Sequence, residues 1–287
     1  MLEFEDWLQV DAMYRSRALE YPGIGHCMVP CLDVANHASH EATAAIYEKD
    51  DDGNAVLLLR DGKVLEEGDE VTITYGDEKG ACEMLFSYGF LESGMKSAET
   101  LFLDLRIPVS DTQRTAKMHI ADAAPGFKII DAGDGEVDWT GSFIWLLCLT
   151  PDDDLRFEVA RTIDGDGVEE ENMTGFFKSH ELTSGNQGGS ARLQQLLSQD
   201  ELWPVYRLRA VAILQQRVFE QLQTLVGTQE EFDGFQPSSE NDVRDGVYGQ
   251  IRELRRMEQE LLERAYGAFE DEVSFVIFNG RCSDACC

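Results

Sequence analysis

Cations are scarce in this chain. Lys and Arg total 24 against 55 Asp and Glu in 287 residues, a formal net charge of −31 at pH 7. A surface of that sign repels a phosphate backbone, which argues against nucleic acid as a partner. It would attract a lysine-rich or otherwise basic protein, and solubility alone also accounts for it. Long apolar runs are missing as well. The segment "SFIWLLCL" (142–149) falls far short of the roughly 20 residues of a membrane span and reads as a buried strand or short helix, so no membrane is expected. The opening "MLEFEDWLQV" has acidic residues where a secretory signal has basic ones. The sequon-like Asn172-Met173-Thr174 therefore carries no information.

The seven cysteines, an odd number, lack the dense even pattern of a secreted disulfide scaffold. They indicate a reducing compartment, cytoplasmic and/or nuclear. The tail "RCSDACC" places Cys282, Cys286 and Cys287 at a terminus, where thiols are usually incidental. Histidine is rarer still. Of five, His37 and His40 fall in "CLDVANHASH" (31–40), beside Asp33 and Asn36.

Length and apolar content allow about two domains. Phe4, Leu8, Val10, Met13, Ala18 and Leu19 fit an amphipathic helix ending before Tyr21. Residues 26–76 read as β-rich: "EATAAIYEKDDDGNAVLLLRDG" as two strands about a tight turn, and "GDEVTITYG" as a half-buried strand. "ACEMLFSYGFL" returns to a helical pattern, and "TLFLDLRIP" and "FKIIDAG" suggest strands. "TIDGDGVEEEN" lacks EF-hand spacing and reads as a solvated turn. Apolar residues then recur at three and four (Leu202, Val205, Leu208, Val211, Leu214, Val218, Leu222, Leu225, and after a polar linker Val247, Ile251, Leu254, Met257, Leu261, Ala265), predicting long helices at about 191–228 and 243–270 that form a hairpin. The expected fold class is α+β, with a β-rich portion over 1–95 and a mainly helical domain over 96–287.

Three readings of 26–40 stay open on the residues alone. Cys27, Cys31, His37 and His40 carry zinc-ligating side chains, but only five residues separate the two pairs where a zinc finger uses a dozen or so, so no metal is expected. A Cys/His nucleophilic pair would need an orienting third group that nothing singles out. The third reading is a turn at Asn36 and His37, fixed by Asp33, that presents side-chain and backbone groups to a ligand.

Four separate pieces, in order, carry a resemblance: Ser16-Arg17; Val29-Pro30 with Asp33 and Asn36-His37; Gly68-Asp69-Glu70-Val71 with Tyr75-Gly76; and Glu83 with Tyr88-Gly89-Phe90. Over about residues 1–95 the chain resembles the SET-domain protein methyltransferases, in particular the branch similar to Rubisco large-subunit methyltransferase. The remainder is similar to the helical substrate-binding domain of that branch in architecture and length.

The resemblance implies S-adenosylmethionine as cofactor and methyl transfer to a lysine of a protein substrate, one that is lysine-rich or basic. Asn36 and His37 would hold the cofactor, with Arg17 and Asp33 in support; Tyr75 would orient the amine as the catalytic residue, and Tyr88 and Phe90 would line the lysine channel. His40 has no matching role. The sequence departs from the family pattern at Lys79-Gly80-Ala81-Cys82 and in reading Asn-His-Ala at 36–38. It is also expected to correspond to the C-terminal portion of a SET domain, without the family's Gly-x-Gly segment, since Gly23-Ile24-Gly25 lies elsewhere in the order. The alternative is a catalytically silent SET-fold module that binds basic partners.

Overall fold

The computed structural model describes residues 3–21, 23–76, 78–121, 124–163, 169–182, 189–237 and 245–284. The tip of the acidic run at 164–168 and the thiols of the terminal "RCSDACC" tail lie outside the described residues. The chain divides into two units, Met1–Glu99 and Thr100–Cys287. It is α+β.

In the first unit, helix α1 spans Phe4–Arg17. Acidic Glu5 and Asp6 in its first turn and basic Arg15 and Arg17 in its last complement the helix dipole. The Asp6 carboxylate accepts the Glu3 N–H at 3.0 Å. The sequence pattern carried this helix to residue 20, but it stops at Arg17, and strand β1 (Leu19–Tyr21) pairs antiparallel with β2 (Gly25–Cys27). Leu19 and Tyr21 alternate inward with a period of two, and Gly23 and Gly25 supply the positive φ (76° and 87°) that the reversal needs. No residue of α1 is buried, and Phe4, Trp7 and Val10 are more than half exposed.

Strands β3 (Ala45–Lys49) and β4 (Ala55–Leu59) form the expected hairpin. Its turn is held by Asp50, whose carboxylate accepts both the backbone and the side-chain N–H of Asn54 at 2.7 and 3.0 Å. "GDEVTITYG" is not an extended strand. It makes a parallel bridge, Ile73 to His37, and its Thr72 and Ile73 exchange backbone bonds with Asn36, Ala38 and Ala45. Ile73, 1% exposed, joins Leu19, Tyr21 and Ala45 in a small core, with Tyr47 and Tyr75 packed against it. The "ACEMLFSYGF" helix is α2 (Ala81–Glu83), which widens into a π-turn over Met84–Tyr88 and stops at Gly89, φ 85°.

Among the described residues the second unit holds two three-stranded antiparallel sheets. One orders β5 (Thr100–Asp104), β6 (Gly126–Gly133) and β7 (Glu136–Thr140) as β5-β6-β7. The short helix α3 (Arg114–Ile120) lies between β5 and β6 in sequence. "SFIWLLCL" yields α4 (Ile144–Leu147), with Ile144 and Leu146 fully buried. The other sheet contains β8 (Leu155–Ile163), β9 (Glu169–Phe177) and β10 (His180–Glu181). The sequence pattern gave no strands here. The polar residues of this hairpin mask its period, and its apolar inward positions, Leu155 and Phe177, sit at the base.

The helix expected at 191–228 is two helices, α5 (Gly189–Ser198) and α6 (Trp203–Gly227). Asp200 interrupts them: its carboxylate accepts the Leu202 N–H at 3.0 Å and pairs with Lys178 at 2.5 Å, and Pro204 opens the new helix. Leu202 and Val205 are consequently exposed, while Tyr206, Val211, Leu214 and Val218 form the buried stripe. After α7 (Gln229–Gly234), α8 runs from Asp245 to Asp284, longer than the periodicity indicated. It packs antiparallel on α6: Arg207 pairs with Glu272 near one end, and Arg255 donates to the Leu225 carbonyl at 2.9 Å near the other. No helix among the described residues is long and apolar enough to cross a membrane.

Candidate functional site

His37 sits at the centre of a ring cluster in the first unit. The Asn36–His37 turn follows a 3-10 turn at Leu32–Val34, and the bridge to Ile73 lays residues 73–75 alongside it. Tyr75 is thereby held at two points. Its backbone N–H donates to His37 Nδ1 at 3.0 Å, and its hydroxyl donates to the Ala35 carbonyl at 3.0 Å. The Tyr75 ring lies 5.0 Å from that of His37 and stacks on Tyr88 at 4.5 Å, while the Phe90 ring lies 6.2 Å from that of His37. The π-turn and the left-handed Gly89 bring Tyr88 and Phe90 into this position.

The His37 side chain is 3% exposed, and both its nitrogens are engaged: Nε2 lies 2.5 Å from a Glu92 carboxylate oxygen. The ring is therefore not presented as a metal ligand. Among the described residues no group of three or more His, Cys, Asp or Glu side chains is placed to hold a metal ion. The His40 side chain lies outside the described residues.

The electrostatics keep the Tyr75 hydroxyl protonated. Burial raises its pKa, Tyr88 and the Glu70 carboxylate add to this, and the Arg17 guanidinium opposes it. Arg17 also donates to the Asp33 backbone carbonyl at 3.1 Å, so these two residues meet through main chain and not as an ion pair. The exposed Asn36 amide donates to Glu70 at 2.5 Å. All seven residues singled out in the sequence thus fall in this unit; His37, Tyr75, Tyr88 and Phe90 share one cluster, Arg17 acts electrostatically on Tyr75, and Asn36 and Asp33 border it.

Five residues had no assigned role in the sequence. Lys79 places its ammonium 5.6 Å over the Tyr88 ring while paired with Glu83, and although burial pulls its pKa down, the Glu83 and Tyr88 interactions prevail and raise it. Ser39 and Glu92 bond each other at 2.7 Å. Tyr47 stands beside Tyr21 at 5.2 Å, and the Tyr21 hydroxyl is buried without a hydrogen-bond partner among the described residues. Glu92 lies 55 positions from His37, and no local spacing signals such a pairing.

Solved structures share this arrangement of elements. The SET domain of LSMT bound to MeLysine and AdoHcy is 17% identical, covers 96% of this chain and 57% of its own, and superposes with a TM-score of 0.51. Rubisco LSMT bound to AdoMet gives 17%, the same coverages and 0.50. The chain has the SET-type fold. Its sequence is 32% identical to SET domain-containing protein 8 of Schizosaccharomyces pombe over 166 residues, 55% of this chain and 38% of that protein. The chain thus spans just over a third of that relative and just over half of the solved SET-type chains. No protein-family model matches it.

Proposed function

We propose that this SET-type chain takes part in S-adenosylmethionine-dependent methyl transfer to a lysine side chain of a basic protein. The observation that carries the reading is the aromatic cluster of His37, Tyr75 and Tyr88, with a lysine ammonium already lying over the Tyr88 face. Aromatic faces in a partly desolvated site attract cations, so the chemistry of the cluster suits both a sulfonium and a methylated amine.

The residues fit the cofactor in kind. The exposed Asn36 amide and the backbone of the 36–37 turn offer polar groups at the rim, and Arg17 and Asp33 border them. When bound, S-adenosylmethionine supplies an activated methyl group, so the protein needs little acid or base strength. Its residues align and desolvate. Tyr75, held at its backbone and its hydroxyl, keeps a neutral O–H at the site and orients the acceptor amine, while Tyr88 and Phe90 shield the amine from water, and a desolvated lysine gives up its proton more readily. The solved SET-type structures bound to AdoMet, or to AdoHcy with MeLysine, support the choice of cofactor and of a lysine acceptor. A location in the cytoplasm or nucleus accords with seven cysteines that lack the dense even pattern of a secreted disulfide scaffold.

The net charge of −31 and the exposed apolar residues of α1 favour a second reading, a catalytically silent module that binds basic proteins. Calorimetric titration of S-adenosylmethionine, followed by labelled-methyl transfer to a lysine-rich protein, separates the two. Saturable binding with transfer supports the enzyme; a folded chain that binds no cofactor supports the module.

A further inference from the structure

Glu92 lies outside the four segments that carry the family resemblance, yet two side chains of the 37–39 turn end on its carboxylate. His37 Nε2 is 2.5 Å from one oxygen, and the Ser39 hydroxyl donates to the other at 2.7 Å. On the opposite side of the ring, Nδ1 faces the Tyr75 N–H at 3.0 Å. A backbone N–H only donates, so Nδ1 must present a lone pair there, and the ring proton then sits on Nε2, directed at an oxygen of the Glu92 carboxyl group. With the ring 3% exposed, bulk water does not replace either partner.

We propose that Glu92 is a positioning residue: it fixes the Nε2–H tautomer of His37, and His37 through Nδ1 sets the backbone of Tyr75. Tyr75 then reaches the Ala35 carbonyl with its hydroxyl and stacks on Tyr88 with its ring. Moving the proton to Nδ1 would set two donors against each other and release Tyr75 at one of its two anchors, an effect that loss of packing alone does not produce. The catalytic consequence rests on the methyltransferase reading; the tautomer does not.

The test is nitrogen-15 NMR of the imidazole, with the His37 signals identified by their loss in His37→Gln, alongside methyl-transfer kinetics. The wild-type chain is expected to carry its His37 proton on Nε2. Glu92→Leu, of similar size and without an acceptor, is expected to shift the proton toward Nδ1 and lower kcat by about tenfold or more, with KM for S-adenosylmethionine within about twofold. Glu92→Gln, which keeps an acceptor oxygen, is expected to retain the tautomer and most of kcat. A wild-type proton on Nδ1, or a Glu92→Leu chain with unchanged tautomer and kcat, overturns the proposal. If Glu92→Leu does not fold, the wild-type and Glu92→Gln spectra decide, since both must show Nε2–H. A tautomer that shifts as expected in a chain that never transfers methyl groups would refute the methyltransferase reading and leave the His37 control in place.

Discussion

The backbone N–H of Tyr75 donates to Nδ1 of His37 at 3.0 Å, although the two residues stand 38 positions apart in sequence. This bond, with the bridge between His37 and Ile73, joins two of the four segments that carried the family resemblance into one site. The order of those segments along the chain has its meaning in that contact.

Tyr75→Phe removes the hydroxyl and its bond to Ala35 while leaving the ring stacked on Tyr88. Methyl transfer to a lysine-containing protein is expected to fall on the order of 100-fold. Stability should drop by only about 1 kcal/mol. Labelled-methyl transfer and urea unfolding on the same preparation check both, and an unchanged rate in an active chain would remove Tyr75 from the chemistry.

Asn36→Ala deletes an exposed amide whose partner is Glu70. Because the side chain contributes no core packing, the fold should be retained while affinity for S-adenosylmethionine falls by about tenfold, the equivalent of one good hydrogen bond. Isothermal titration of both proteins reads this directly; equal affinities would exclude the Asn36 side chain from the cofactor site.

Gly126→Ala is expected to destabilise the second unit by about 1–3 kcal/mol. A Cβ there would lie 2.5 Å from the Leu103 carbonyl oxygen and 2.2 Å from the Phe102 ring. Phe102 is 47% exposed and can swing away, whereas the carbonyl belongs to the β5 ladder and cannot. A thermal midpoint equal to that of the wild type would mean that β5 and β6 are less rigidly joined than this register implies.

Acid should weaken the second unit through Asp104 and Asp153. Hydrogen bonding from Arg217 holds the Asp104 carboxyl below the ordinary 3.8; at Asp153 burial pushes upward, but bonds from Thr150 and Arg209 outweigh it and the pKa is lowered. A carboxyl with a depressed folded pKa takes up its proton more readily in the unfolded chain, so its contribution is present above pH 3.8 and is lost as pH falls below that value. Unfolding free energies from urea titrations at about pH 6 and pH 3 are expected to differ less in Asp153→Asn than in the wild type, by about 1 kcal/mol. The same loss in both chains would count against this account.

Local chemistry made part of this protein legible without coordinates. The β3–β4 hairpin follows from an Asp50–Asn54 turn between two apolar runs, the burial of 142–149, though not its choice of helix over strand, from a short apolar segment, and the α6–α8 pairing from apolar residues at three and four. Each of these depends on neighbours within a few residues or on a periodic face, and such patterns survive in one dimension. The residues around Tyr75 were named by resemblance, and their proximity was not.

What needed the tertiary structure depends on partners far away in sequence. Whether Leu19 and Tyr21 extend a helix or form a strand is decided by the Gly23 to Gly25 reversal and the core they enter. Asp200, at the break between α5 and α6, is paired with Lys178, 22 positions earlier, and the β8–β9 hairpin conceals its two-residue period under polar side chains. Glu92 illustrates the limit most plainly: one carboxylate among 55 acidic residues, it differs from the others only because the fold brings it to His37. The sequence by itself determined which chemistry the chain carries; only the tertiary structure decided which carboxylate meets which ring, because a hydrogen bond acts over about 3 Å of space whatever the distance along the chain.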